Sequence, residues 1–193
     1  MNRRELLQRT AVLFGGSLIG ADSMLANNVD WEALEFGPDA KGIGLFDKKQ
    51  VRLLNEVADT IIPTTTTPGA KAAKVGQFMA VIVSDCYEPE EQQRFTQGLV
   101  TLQEACEKSQ GKPFMKCSSA QRTAFLNTLD QEQLAYHKTK KSGQPAHYFR
   151  VIKDLVLWGY FSSEIGATQA LRRVEIPGRY ETIDYKKGDK AWG

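Results

Sequence analysis

Apolar residues recur every three or four positions through most of this chain, in blocks that proline and glycine residues separate. The positions are Val51, Leu54, Val57, Ala58, Ile61 and Ile62; Val75, Phe78, Met79, Ile82 and Val83; Phe95, Leu99, Leu102 and Cys106; Phe125, Leu126, Leu129 and Leu134; and Tyr148, Phe149, Ile152, Leu155, Val156 and Trp158. In the first four blocks this spacing places the apolar side chains on one face of an α-helix, whereas in the fifth block they nearly encircle the helix. We therefore predict an all-α fold, a small bundle of about five to six helices over residues 46–175.

Capping and turn residues set the limits of these helices. Asp47 is suited to cap the first and Pro63 to end it, Pro89 suits the start of the third, and Ser118 with Gln121 forms a capping box for the fourth. The predicted helices cover residues 47–62, 70–86, 89–110, 118–137 and 145–162, with a short one at 167–173. The fifth helix is apolar on more than one side, which predicts a central position and spare apolar surface for a partner.

An export signal is predicted over residues 1–26. Arg3 and Arg4 precede Leu6 and Leu7, and the apolar stretch at 11–21 is shorter than the ~20 residues that a membrane-spanning helix needs. The arginine pair is typical of the twin-arginine route, which exports folded proteins, so we predict a periplasmic protein. Cleavage is expected between residues 23 and 28. Retention of the segment as a membrane anchor is the weaker alternative, and it would leave the protein membrane-associated.

Charge and cysteine content narrow the classes of partner. The formal net charge of +2 argues against nucleic-acid binding. Three scattered cysteines are too few for a disulfide scaffold and lack haem or metal spacing. Cys106 and Cys117 flank a short loop, whereas Cys86 is expected some 25 Å from Cys106 along two helices, so Cys106–Cys117 is the preferred disulfide. Cys86 is then either a buried small side chain, which we favour, or available to a partner chain.

Motifs for catalysis are missing from the sequence. Gly42 and Gly44 lack the third glycine of a dinucleotide fingerprint, and His137 and His147 have no metal-ligand spacing. We therefore predict no catalytic, cofactor-binding or metal-binding residue in this chain. An export signal for folded proteins on a chain without a cofactor site indicates that the chain carries another protein outward.

Contact residues for that protein are predicted in three places. They are an extended arm at 27–45, the aromatic fifth helix and an irregular tail at 176–193, where aromatic and basic residues match the composition of interfaces. The predicted contacts are Trp31, Phe36, Trp158, Tyr160, Phe161, Arg179, Tyr180 and Trp192. The alternative for the tail is a disordered basic terminus.

Five short motifs support a resemblance to a known family. They are DTIIP at 59–63, TPGAK at 67–71, DCY at 85–87, GYFSSEIG at 159–166 and PGRY at 177–180. In this order, behind a twin-arginine start, they resemble the gluconate 2-dehydrogenase subunit 3 family over roughly residues 46–180.

The resemblance implies a role and a set of partners. Such small subunits pair with a large flavoprotein of the glucose-methanol-choline family, which carries FAD and usually lacks a signal, and often with a c-type cytochrome that carries haem c. This chain would then be a non-catalytic export chaperone and stabilising subunit of a periplasmic sugar or sugar-acid dehydrogenase. It would bind the twin-arginine translocase, and it would contact the membrane mainly through the signal segment or through the complex.

Two alternatives belong to other classes. An independent periplasmic enzyme or ligand-binding protein would need a pocket with converging polar groups, for instance around His147, Tyr148 and Arg150. An electron-transfer component would need a haem or iron–sulfur motif, which three isolated cysteines do not supply.

Overall fold

The structure, a computed structural model, describes residues 42–174, 176, 178, 182, 184 and 186–192. The predicted signal and most of the predicted arm lie outside these residues. A two-stranded antiparallel hairpin comes first, with β1 at Gly42–Ile43 and β2 at Phe46–Asp47. Five α-helices follow in the described part: α1 at Lys48–Ile61, α2 at Val75–Cys86, α3 at Pro89–Gln110, α4 at Ser119–Thr139 and α5 at Tyr148–Ser162. The prediction of an all-α bundle is confirmed.

Local capping explains why α1 and α4 begin where the sequence predicts. The Asp47 carboxylate accepts the Gln50 N–H at 2.7 Å, and the Gln50 side chain accepts the Asp47 N–H at 2.9 Å. Ser118 and Gln121 make the same reciprocal pair before α4. Each pair satisfies amide donors that the first turn of a helix leaves unpaired.

The second helix begins at Val75 rather than at Ala70, where the sequence predicted it. Lys74 has a φ of 54°, in the left-handed region, so the helix cannot extend back through it. The preceding residues instead form turns closed by the hydrogen bond from Ala70 N to Ile62 O, at 2.9 Å. A Cβ on Gly69 would lie 2.7 Å from the same carbonyl oxygen, so this turn needs a glycine there.

Other helices also differ from prediction in their limits or type. The start of α5 moves from Pro145 to Tyr148, because the His147 ring caps the helix by accepting the Phe149 N–H at 3.3 Å. The short helix expected at 167–173 is a π-helical turn, Gly166–Ala170. A 3₁₀ turn at Phe114–Lys116, which was not predicted, lies between α3 and α4.

Helix α5 is the centre of the bundle, as predicted, since it contacts each of α1 to α4. Its buried residues are Phe149, Ile152, Leu155, Val156, Gly159 and Tyr160. Leu54 and Val57 of α1, Met79 of α2 and Leu99 of α3 are likewise almost completely removed from water. Burial of each such side chain stabilises the fold by roughly 1.5–3 kcal/mol.

One predicted core residue of α4 is wrong. Leu134 is 40% exposed, and Gln133 is buried in its place. Gln133 lies four positions after Leu129, so it continues the buried face, whereas Leu134 lies a further 100° round the helix. The Gln133 amide donates to Asp130 at 3.1 Å, which offsets part of the cost of burial.

None of the helices within residues 42–174 combines the length and the apolar content needed to cross a bilayer.

Candidate partner interface

Apolar side chains from α2 and α5 share one exposed surface. The Trp158 ring is 54% exposed. It meets the half-buried Phe78 ring edge-to-face, with ring centroids 5.2 Å apart. Phe161 lies about one turn further along α5 at 41% exposure, and Val81 lies about one turn beyond Phe78 on α2 at 43%. We call Phe78, Val81, Trp158 and Phe161 the α2–α5 apolar face.

A glycine allows this face to form. A Cβ on Gly159 would lie 2.6 Å from Cδ1 of Phe78 and 3.2 Å from Cγ1 of Val75. Glycine at 159 therefore lets α2 approach α5 closely enough for Phe78 to contact the neighbouring Trp158 ring. The three-and-four spacing of α2 predicts Phe78 in the core and does not include Val81. The signal that indicates both is that α2, like α5, is apolar on more than one side.

Polar residues continue α5 toward its start, Asp154 about one turn and Arg150 about two turns before Trp158. Arg150 and Asp154 form an ion pair with Nε and Oδ2 2.7 Å apart, and both side chains are about half exposed. Tyr87, the residue that follows α2, is influenced by the same aspartate. Burial raises the pKa of Tyr87, and the negative charges of Glu91 and Asp154 raise it further. An apolar centre with a polar, charged edge is the usual arrangement of a protein interface.

Tyr160 is not part of this surface, which corrects the prediction that it contacts a partner. It is 2% exposed. Its hydroxyl donates a hydrogen bond of 2.8 Å to the carbonyl oxygen of Pro68. Two residues along a helix correspond to a rotation of about 200°, so Tyr160 and Trp158 point to opposite sides of α5.

The described part of the tail folds back on the chain. The Arg172 N–H donates to Ala191 O at 2.7 Å, and the Arg172 guanidinium lies 4.9 Å from the centre of the Trp192 ring. Trp192 is still 58% exposed, so it remains available for contact. The other predicted residues lie outside the described part of the chain: Arg3, Arg4, Leu6, Leu7, Trp31, Phe36, Arg179 and Tyr180.

The three cysteines occupy two different environments. Cys106 and Cys117 are buried with their sulfur atoms 3.8 Å apart, unbonded. Cys86 is exposed, so the favoured interpretation of it as a buried side chain is wrong. It is the last residue of α2, beyond Val83, the last residue that this helix buries.

The residues suggested for a ligand pocket have local partners instead. His147 caps α5, and Arg150 pairs with Asp154. Burial, followed by the charge of Glu132, raises the pKa of Tyr148 to about 12, so its hydroxyl stays protonated at neutral pH. A depression of about 160 Å³ lies elsewhere and includes Asp130 and Lys153, which form an ion pair. Within the described residues, no three His, Cys, Asp or Glu side chains are grouped to hold a metal ion.

Comparison with known proteins identifies the family. No curated protein sequence and no solved structure matches the chain. Residues 48–178 match the family described as Gluconate 2-dehydrogenase subunit 3. That description makes its members subunits of a multi-subunit dehydrogenase, and the match covers more than half of the chain, from the start of α1 past the end of the π-helical turn. This chain belongs to the gluconate 2-dehydrogenase subunit 3 family.

Proposed function

We propose that this chain is the non-catalytic small subunit of a flavin-dependent sugar or sugar-acid dehydrogenase. It binds the folded catalytic subunit, a flavoprotein of the glucose-methanol-choline type, provides the twin-arginine signal for both, and stays bound in the periplasm. FAD belongs to the catalytic subunit in this proposal, and haem c to a further cytochrome subunit. The observation that carries the proposal is the α2–α5 apolar face on a chain of a dehydrogenase subunit family.

The chemistry of that face supports a protein partner. A contiguous apolar surface in contact with water is unfavourable, and in soluble proteins it commonly marks an interaction site. Trp158 already rests on Phe78, which restricts its ring and lowers the entropy lost when a partner covers it. Tryptophan is also among the residues that most often dominate binding energy. The face therefore has the properties of the centre of an interface.

The edge of the face supports the same conclusion. Arg150 and Asp154 are exposed enough to exchange their mutual ion pair for contacts with a partner. Charged groups at an interface edge mainly set orientation and association rate, while the buried apolar centre sets affinity. We expect Trp158 and Phe161 to supply most of the affinity and the Arg150–Asp154 pair to contribute little.

The interface is tested with Trp158→Ala in the full complex. We expect binding of the flavoprotein subunit to weaken by about 2 kcal/mol or more, roughly 30-fold, because a hot-spot tryptophan is lost. Val100→Ala on α3 is the matched control, since Val100 has a similar exposed fraction of 44% outside the face. If wild type, Trp158→Ala and Val100→Ala bind the flavoprotein subunit with equal affinity, the α2–α5 apolar face is not part of the interface.

The export role is tested separately. Replacing Arg3 and Arg4 by lysine in cells should leave the flavoprotein subunit in the cytoplasm, because the translocation machinery reads the arginine pair. Arg9→Lys is the matched control, because it alters a basic residue of the same segment outside the pair. Normal periplasmic amounts of the flavoprotein in the double variant would refute shared export and leave the interface untouched.

A further inference from the structure

Two buried thiols face each other across a short loop. Cys106 lies near the end of α3, and Cys117 follows the 3₁₀ turn Phe114–Lys116. Their sulfur atoms are 3.8 Å apart, and both lie 3.8 Å from the carbonyl oxygen of Lys112. The segment between the two cysteines therefore forms a closed loop whose two ends lie side by side. We call residues 106–117 the thiol loop.

We propose that Cys106 and Cys117 are a latent disulfide site: an external disulfide oxidises the pair to an intrachain bond, and Arg122 sets the rate by holding the thiol loop closed. The proposal is independent of the proposed function.

The geometry favours this bond over other pairings. Sulfur atoms 3.8 Å apart must approach by less than ~2 Å to reach the disulfide bond length, which side-chain rotation and small backbone shifts can supply. Cys106 lies in the last turns of α3 and Cys117 only eleven positions later, so the two sulfur atoms are joined by a short stretch of chain. Cys86 is exposed at the end of α2, outside this loop.

The closed loop protects the pair. Cys106 is completely buried and Cys117 is 5% exposed, so an external disulfide cannot reach either sulfur. Burial raises the pKa of the Cys106 thiol to about 12, and the neighbouring Cys117 adds to the shift. Only a thiolate attacks a disulfide, so the reaction has to follow opening of the loop.

Arg122 is the residue that holds the loop closed. Its Nε donates to Phe114 O at 3.1 Å, and its Nη2 donates to Met115 O at 2.9 Å. The guanidinium also lies 5.4 Å from the centre of the buried Phe114 ring. Glu56 of α1 pairs with the remaining Nη1, so the arginine ties the 3₁₀ turn to two helices. Arg122 is thus a positioning residue for the thiols, which it does not need to touch.

The reaction balances as two successive exchanges. In the opened loop Cys117, the less buried thiol, loses its proton to solvent and attacks the external disulfide, which releases one external thiolate. Cys106 then loses its proton and attacks the Cys117 sulfur of the mixed disulfide, which releases the second external thiolate. The two protein thiols lose two electrons and two protons, and the external disulfide becomes two thiols.

The test follows oxidation by excess oxidised glutathione, with the full chain carrying Cys86→Ser. Mass spectrometry of the intact chain and its peptides should show slow loss of two hydrogens and a cross-link between the peptides of Cys106 and Cys117. Arg122→Ala should accelerate this reaction by about tenfold or more, since opening limits the rate. Arg150→Ala, which breaks an ion pair far from the loop in sequence, should leave the rate unchanged.

A second measurement covers the case in which Arg122→Ala does not fold. In the Cys86→Ser chain, urea below the unfolding midpoint should raise the oxidation rate in proportion to loop opening. Stable glutathione adducts without the cross-link would overturn the disulfide site. Equal oxidation rates for the Cys86→Ser chain with and without Arg122→Ala would overturn control by Arg122. An oxidation rate that urea below the unfolding midpoint does not change would overturn it as well.

Discussion

Helix α5 carries two aromatic residues, two positions apart, that face opposite environments. Tyr160 is buried and donates its hydroxyl hydrogen to Pro68 O, 92 positions earlier in the chain. Trp158 is more than half exposed and rests on Phe78. The inward side of the helix therefore holds this domain together, while the outward side is free for another molecule. Substitutions on the two sides should consequently affect different measurements.

The largest effect on stability is expected from Tyr160→Ala. It removes a buried ring and leaves the Pro68 carbonyl without its donor, so the free energy of unfolding should fall by about 3–5 kcal/mol. Urea unfolding of the isolated chain measures this. Trp158→Ala is the control on the outward side and should cost less than about 1 kcal/mol. Similar losses in both variants would contradict the division of α5 into two sides.

The sequence predicted one half of this comparison and missed the other. The three-and-four spacing placed Phe149, Ile152 and Leu155 in the core, and it indicated that α5 has more apolar surface than one stripe. It did not decide which aromatic residue faces inward, since Tyr160 and Trp158 are both part of that excess. Their assignment depends on Pro68 and Phe78, which belong to distant segments of the chain.

The same limit applies to the other misplaced residues. Local chemistry is enough to predict the caps at Asp47 and Ser118, because donor and acceptor lie three residues apart. The left-handed Lys74, by contrast, belongs to a turn that packs against the end of α1 through the bond from Ala70 to Ile62. Periodicity describes one helix at a time and carries no information about which helices meet.

The second effect extends the comparison to charged groups. Arg122 and Glu56 form an inward ion pair, with side chains 17% and 19% exposed. Burial alone would raise the pKa of Glu56, but the hydrogen bonds and charges of Lys71 and Arg122 outweigh it and lower the pKa. Arg122→Ala removes one of the two positive charges that offset the burial of the Glu56 carboxylate. It also removes the donor to the carbonyl oxygens of Phe114 and Met115. We expect the free energy of unfolding, measured with urea, to fall by about 2–3 kcal/mol. This is less than for a fully buried ion pair, because water partly reaches both side chains.

The control for this prediction is again on the outward side of α5. Arg150→Ala breaks an exposed pair with Asp154 and should change the free energy of unfolding by no more than about 0.5 kcal/mol. A loss of that size for Arg122→Ala as well would show that the inward pair contributes no more than a surface pair.

A third, smaller effect isolates the polar part of the Tyr160 contact. Tyr160→Phe keeps the ring and removes only the donor to Pro68 O, so the free energy of unfolding should fall by about 1 kcal/mol. The measurement is the urea midpoint, compared with Tyr136→Phe, whose hydroxyl donates to Pro145 O at an exposed site. A loss for Tyr160→Phe no greater than for Tyr136→Phe would show that burial does not strengthen the contact.

The smallest effect on stability concerns the N-terminal cap of α5, the helix that carries both the inward and the outward side. Burial lowers the pKa of His147 below its usual 6.5, with Glu132 acting weakly in the opposite direction. Its neutral ring accepts the Phe149 N–H, and a protonated ring would lose this acceptor and meet the positive end of the helix dipole. Because the folded-state pKa is the lower one, the stabilisation is complete above about pH 6.5 and disappears as the pH falls through the folded-state pKa.

His147→Asn tests that sign, since asparagine caps helices and does not titrate. Between pH 7 and pH 5 the wild-type chain should lose a few tenths to about 1 kcal/mol more unfolding free energy than the variant. Glu56 and Asp130 have lowered pKa values, so their contributions disappear at more acidic pH and are common to both chains. Parallel stability curves for the two chains would mean that His147 caps α5 without being linked to its protonation.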